Sequence, residues 1–457
     1  MPMLRLLNPA TGQLVREVPE TDSSQVAAAF TRAGRAQRPW AALGLERRCQ
    51  VLRTFRDLVI GEVPRLAELL VADMGKPISQ ARGEVGRVRE RLDFFLANLA
   101  AATRDQVVFD EGGMEERLVH EPLGVVANIS AWNYPWFVGI NVIAPALLCG
   151  NALLYKPSEH ATATGLAIIA LLHRAGVPAD AAIALPGGKT TGAALAATPV
   201  DGLFFTGSHA VGMKIAQVAG SRLGRVQLEL GGKDAVYVAD DVDVAAAAES
   251  TADGSFYNAG QSCCAIERLF VSRGIYDQFV AAFLEQVARL RMGDPMDPAT
   301  TIGPLAFDGQ RAVLERQIAQ AVERGAIIAC GGRRDPGPGW FFQPTVLLQV
   351  DAQMAVMREE TFGPVIGIMA VDSDAQAVQL INDSSYGLTA GIYTRERARA
   401  QALLAAVDTG TAYWNCCDRV SPRLPWTGRR GSGLGATLGQ AGILAMTKPK
   451  AYHLRSP

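Results

Sequence analysis

Several things are scarce in this chain, and each scarcity closes off a class of function. Neither sign of charge is in excess. The formal net charge is −1 over 457 residues, so no global field draws the protein to nucleic acid or an anionic membrane. A small-molecule partner is expected instead. Charged residues make up only 19% against 49% hydrophobic, which excludes disordered bulk and leaves ample core. Long apolar runs are missing too. The longest, residues 138–155, is interrupted by Asn141, Pro145, Gly150 and Asn151 and suits a buried helix and strand rather than a membrane span. The opening Met1-Pro2-Met3-Leu4-Arg5-Leu6-Leu7 is too short an apolar stretch for a signal peptide. Only five histidines occur, His120, His160, His173, His209 and His453, and none forms a metal-spaced pair, so no metal is expected. The seven cysteines follow no regular framework, which fits a reduced, cytoplasmic protein.

Two phosphate-binding signatures are absent as well. There is no Gly-x-Gly-x-x-Gly, so the usual dinucleotide fingerprint fails. Gly188-Lys189-Thr190 copies the end of a P-loop, but position 183 is Ile, and that motif is excluded.

What is present is a helical first quarter followed by alternating elements. Residues 22–38, 46–60, 64–75 and 78–101 read as helices, with Asp22 and Ser23 as caps, Pro64 in a first turn and Gly75 at an end. They carry no assigned chemistry. From Gly124, short apolar runs at residues 125–129, 152–155, 182–185, 202–205 and 226–230 alternate with helical patterns. That spacing predicts βαβ units and a parallel sheet, with a dinucleotide at the carboxyl ends of its strands. The alternation resumes after Gly260, predicting a second α/β unit that ends near Asn415. Residues 117–120 and 449–457 read as strands.

The stretch of greatest chemical interest is residues 226–267. Glu229 lies between Leu228 and Leu230 before Gly231-Gly232-Lys233, and Cys263 follows Gly260-Gln261-Ser262. A carboxylate in an apolar strand is desolvated, which raises its pKa toward the range of a general base. A thiol becomes a nucleophile as thiolate beside positive charge or a base. Taken singly, each is better read as a half-buried strand acid or an inert core cysteine, because buried free Cys is common, and spacing alone does not overturn that.

These residues resemble the aldehyde dehydrogenase superfamily. The likeness extends to Ala131-Trp132-Asn133-Tyr134-Pro135-Trp136, Lys156-Pro157-Ser158-Glu159, Phe204-Phe205-Thr206-Gly207-Ser208, Glu359-Glu360-Thr361-Phe362-Gly363-Pro364 and Trp414-Asn415. The blocks stand in the family's order and span most of the chain. The resemblance implies an α/β fold of two Rossmann-like parallel-sheet domains plus a small β oligomerisation arm. Residues 1–103 and 123–230 would bind dinucleotide, 231–430 would form the catalytic domain, and 104–122 with 431–457 would form the arm and tail. It implies Cys263 as nucleophile, Glu229 as base and Asn133 as oxyanion donor, acting through a thiohemiacetal and thioester to give a carboxylate. The implied cofactor contacts are Trp132, Lys156, Glu159, Gly207, Ser208, Gly212, Leu230, Glu360 and Phe362. A carboxylate at Glu159 favours NAD, with NADP possible. A homodimer or homotetramer is implied.

Trp136, Phe256, Tyr257, Trp414 and Trp426 are expected to border an apolar aldehyde tunnel, favouring a medium or aromatic aldehyde. No Arg stands out as a partner for a distal carboxylate. Where many family members carry a Lys and a Glu that move protons from the base, this chain has Val142 and Thr437. Two alternatives keep the fold: a Cys/Glu esterase or thioesterase, and a non-enzymatic relative.

Overall fold

The computed structural model describes residues 2–417 and 419–456. Two parallel sheets form its framework. The first has the strand order Gly433–Leu434, Arg225–Glu229, Gly202–Thr206, Val125–Ile129, Ala152–Lys156, Ala182–Ala184, all parallel except the first. The second runs Ile327–Cys330, Thr345–Leu348, Val365–Val371, Arg268–Ser272, Ala235–Val238, Thr389–Tyr393, Thr411–Trp414, again with one antiparallel edge. Strands such as Val125–Ile129 and Ala152–Lys156 are buried at every residue. Helices cover both faces, so such strands read as continuous apolar runs rather than alternating ones.

The helical first quarter forms as the sequence predicts. Asp22 caps Ser23–Ala42 in a capping box with Gln25. Gly75, at φ 75°, ends Val63–Met74 in the left-handed conformation that glycine takes without strain. The next helix, Ile78–Ala102, packs against Pro135–Leu148 beneath the first sheet. Its buried face carries Glu84 and Arg91 as well as apolar residues. That face therefore supplies charge as well as packing.

Two strand regions go beyond the sequence reading. Met3–Leu7 pairs with Leu14–Pro19 as a hairpin. Gln106–Glu111 joins Met114–Pro122 and Thr447–Arg455 in a three-stranded arm. Gln106–Glu111 is exposed at every position, so it offers no inside-outside alternation to read. The stretch 431–457 also divides. Gly433–Leu434 pairs beside Glu229 in the first sheet, and Gly439–Leu444 packs on Ile78–Ala102. Only Thr447–Arg455 belongs to the arm. Among the described residues, no helix is long and apolar enough to cross a membrane.

Glu229 ends a strand of the first sheet and Ala235 begins a strand of the second. The chain thus crosses between the sheets just beyond the candidate base. Ile129, Lys156, Thr206 and Glu229 all mark carboxyl ends of first-sheet strands.

Candidate active site

Glu229 is buried, 4% exposed. Burial pushes its carboxyl up to about 7, against the pull of hydrogen bonds from Thr437, Gln227 and Thr206 and the charge of Arg91. Gln227 Nε2 donates at 3.3 Å and Thr206 Oγ1 at 3.4 Å. The Thr437 hydroxyl donates to Oε1. Backbone bonds in both directions between Thr437 and Trp426, at 2.9 and 2.7 Å, hold that hydroxyl in place. Val142 lies in the apolar core. Of the two departures noted in the sequence, Thr437 therefore touches the acid and Val142 only packs.

Cys263 follows a turn built from unusual backbone. The helix Val244–Phe256 gives way to Tyr257–Gly260, where Asn258 and Ala259 adopt φ of 55° and 54°. Non-glycine residues in this region are strained and need support. Asn258 provides it by donating from Nδ2 to the carbonyls of Gln261 at 3.0 Å and Asn133 at 3.3 Å. Gln261 Nε2 donates back to the Asn258 carbonyl at 3.1 Å, and its Oε1 accepts from the Ala306 N–H at 2.8 Å. At Gly260 a Cβ would collide with the Gly363 carbonyl. Cys263 is half-buried, whereas Cys264 is buried with its Sγ 3.5 Å from the Ser262 hydroxyl.

Asn133 sits in the turn between Val125–Ile129 and Pro135–Leu148. Its carbonyl accepts from the buried Lys76 Nζ at 2.7 Å. Lys76 is ion-paired with buried Glu84, which also accepts from the Trp136 N–H at 3.0 Å. This pair clamps the turn from below. The Asn133 side-chain amide bonds to no described residue. Asn133 is not itself on the cavity wall, but its neighbour Tyr134 is.

Of the expected cofactor residues, Trp132, Lys156, Glu159, Gly207, Ser208, Gly212 and Leu230 follow the carboxyl ends of first-sheet strands, and Glu360 and Phe362 lie in the loop before Val365–Val371 of the second. Lys156 Nζ meets Glu159 Oε2 at 3.1 Å. Burial works to raise the Glu159 carboxyl, but Lys156 and local hydrogen bonds outweigh it and leave it below its ordinary value. Gly207 and Ser208 lead into the helix His209–Gly220, and the Ser208 side chain makes no capping bond to its first turn. At Gly212 a Cβ would overlap Leu230, so the helix lies flush against the strand exit. Across the junction, Glu360 accepts from the Gly232 N–H at 3.3 Å. Burial and the neighbouring Glu267 push its carboxyl up to about 8. Trp132 meets the Phe362 ring edge-on at 5.4 Å. A helix N-terminus open to phosphate and two separate acids suited to ribose hydroxyls fit a dinucleotide.

Glu267, which the sequence reading passed over, fixes this loop. It accepts from Lys233 Nζ at 2.7 Å, the Thr361 N–H at 2.8 Å and the Phe362 N–H at 2.9 Å. A charged residue just before a strand gave no local sign of that role.

A cavity of about 410 Å³ reaches from Thr206 and Glu229 to Cys263, and none of the expected cofactor residues lines it. Of the expected tunnel residues, Tyr257 and Trp426 line it. Trp136, Phe256 and Trp414 do not, and these are corrections. On Pro135–Leu148 it is Phe137, Val138 and Asn141 that face the cavity, while Trp136, Ile140 and Ile143 fall on the core side. The helical period separates the two faces. Phe256 packs in the second-sheet core. Trp414 ends an edge strand at 37% exposure and donates from Nε1 to the Thr394 carbonyl at 2.9 Å. Although no Arg stood out in the sequence, Arg87, Arg91, Arg419 and Arg423 border the cavity. The signal available was the four-residue spacing of Arg87 and Arg91 on one predicted helix.

Two parallel sheets meeting beside a thiol, a buried acid and a dinucleotide cradle define an α/β oxidoreductase. The chain belongs to the aldehyde dehydrogenase family, whose model matches residues 2–452. It is 34% identical over 445 residues to the succinate-semialdehyde dehydrogenase [NADP(+)] of Deinococcus radiodurans, covering 97% of this chain and 93% of that one. It is 35% identical to betaine aldehyde dehydrogenase 2 of Rhizobium meliloti, covering 99% and 94%. The crystal structure of lactaldehyde dehydrogenase from Escherichia coli superposes with a TM-score of 0.97 at 32% identity, covering 100% and 96%. The protein is an NAD(P)-dependent enzyme that oxidises an aldehyde to the acid.

Proposed function

We propose that Cys263 is the nucleophile and Glu229 the base of this oxidation. The observation that carries the reading is that the two residues, from opposite sides of the sheet junction, line one cavity. The Cys263 thiolate adds to the aldehyde carbon, and the oxygen takes up negative charge. The Asn133 amide and the Cys263 backbone N–H stabilise that charge, a type of donor worth about 10²–10³ in rate. When bound, oxidised nicotinamide supplies the acceptor for the hydride released from this carbon. Cys263 is left as a thioester. Glu229 removes a proton from water, the water oxygen attacks the acyl carbon, and the C–S bond breaks to give the carboxylate and free Cys263.

Trp132, Lys156, Glu159, Gly207, Ser208, Gly212, Leu230, Glu360 and Phe362 hold the dinucleotide in this reading. Glu159 beside the adenosine ribose favours NAD over NADP, because a 2′-phosphate would approach its carboxylate. The three-stranded arm serves a homodimer or homotetramer. Its edge strand leaves Val107, Val108 and Phe109 exposed, and such an edge is a template for pairing. Seven free cysteines support a cytoplasmic setting.

The test is an aldehyde panel with NAD and with NADP, acid-quenched and followed by peptide mass spectrometry. Reduced nicotinamide together with an acyl group on Cys263 is expected. An acyl group on another residue, or turnover of activated esters alone, overturns the assignment.

Thr437 gives a second prediction. Its hydroxyl favours the charged form of Glu229, so Thr437→Val moves the acid limb of the kcat profile to higher pH. Below pH 7 turnover should fall about tenfold, the scale of one hydrogen bond to a charged group. An unshifted limb would separate Thr437 from the base.

A further inference from the structure

We infer that Arg91 is an anchor for a negatively charged group on the aldehyde, so that the natural substrates are aldehydes carrying a carboxylate. This rests on the reading that the carbonyl is captured at Cys263 in the same cavity. Arg91 lies on the inner face of Ile78–Ala102 and is only 4% exposed. Its Nε donates to Asn141 Oδ1 at 3.0 Å, and its guanidinium lies over the Phe137 ring, 3.6 Å from the centroid. Both contacts fix the plane of the fork. Neither uses the two terminal nitrogens, which bond to no described residue.

Buried arginines normally sit against a carboxylate, since an unpaired buried charge is costly. Arg91 has none within ion-pair distance among the described residues. Glu84 is committed to Lys76, and Glu229 is held by neutral donors. Burial lowers the Arg91 pKa to about 10, which leaves it cationic at neutral pH. A pre-oriented, unpaired guanidinium on a cavity wall matches a carboxylate in both charge and shape.

The rest of the cavity supports the same sign. Arg87, Arg419 and Arg423 stand around it, with no described carboxylate in ion-pair range of any of them. Glu90 and Asp253 also border it. Burial raises the Asp253 carboxyl, with Arg419 opposing that rise. The aromatic walls of Tyr134, Phe137, Tyr257 and Trp426 would otherwise suit a cationic aldehyde. Arg91 already occupies the face of Phe137 and repels such a group.

The experiment compares three aldehydes of matched length: a short ω-oxo-carboxylate, its methyl ester, and a trimethylammonium aldehyde. Wild-type enzyme, Arg91→Gln and Arg91→Lys are assayed for kcat and KM. The wild type should prefer the acid over the ester about 10- to 100-fold in kcat/KM, the range of a charge-assisted bond. In Arg91→Gln that ratio should collapse through KM, and Arg91→Lys should recover part of it. Were Arg91 only to tune Glu229, all three aldehydes would slow equally and the ratio would stay, which overturns the inference. Preference for the ester or the ammonium aldehyde does so as well. Calorimetry with the matching dicarboxylate, the product class, reads the site without catalysis. Wild type should bind it about 10- to 100-fold more tightly than Arg91→Gln. Equal binding rejects the Arg91 anchor even if aldehyde oxidation stands. If no aldehyde of any charge is oxidised while the dicarboxylate binds as described, it is the Cys263 reading that fails and the anchor that survives.

Discussion

Cys263→Ala is expected to abolish aldehyde oxidation, with kcat falling by about 10⁴-fold or more, as removal of a covalent nucleophile does elsewhere. The neighbouring hydroxyl of Ser262 offers no replacement, because an unactivated alcohol is a far weaker nucleophile than a thiolate. Cys264 also borders the cavity, but it is buried at 3% exposure beside the Ser262 hydroxyl. Cys264→Ala should therefore cost stability through lost packing and leave covalent acylation in place. The two variants separate the roles of adjacent thiols. Dinucleotide binding, followed by calorimetry, should survive in Cys263→Ala, since Glu159, Ser208 and Glu360 lie on other loops. Equal turnover by Cys263→Ala and wild type would remove the nucleophile from this position.

Much of the framework was legible because its signals are local. Parallel strands covered on both faces leave runs such as Val126-Ala127-Asn128-Ile129, and glycine and proline punctuate the helices between them. Motif order put Glu229, Asn133 and Cys263 forward together as candidates, and Glu229 and Cys263 line one cavity. What escaped the sequence was contact between distant segments. Glu84 and Arg91 fall on a helix that looks structural and Lys76 on the turn before it, yet Lys76 holds the Asn133 carbonyl across 57 residues and Arg91 meets Asn141 across 50. Glu267 supports the Glu360 loop from 94 residues away. The tryptophans failed for another reason. An aromatic near a motif is buried somewhere, but only helical phase distinguishes Trp136, in the core, from Phe137, on the cavity. Thr437 was legible as a substitution, but not as a hydrogen-bond donor that takes up the place beside the base.

Glu229→Gln should separate the two halves of the reaction. The amide is nearly isosteric, so Thr437, Thr206 and the strand Arg225–Glu229 keep their places. Aldehyde capture and hydride release need no base at this position once Cys263 is a thiolate. Deacylation does, because water must lose a proton as it attacks. A first turnover of reduced nicotinamide close to one per active site should appear, followed by a steady rate lower by about 10²–10⁴, the usual contribution of a general base. The acyl group should then accumulate on Cys263. In the wild type the burial that pushes Glu229 up to about 7 makes the carboxylate scarce in acid, so kcat should fall as pH drops through that value and level off above it. Glu229→Gln should lose this limb entirely. If the variant keeps both the full steady rate and the acid limb, the proton leaves water by way of another group, and among cavity residues Asp253 would be the carboxyl to examine next.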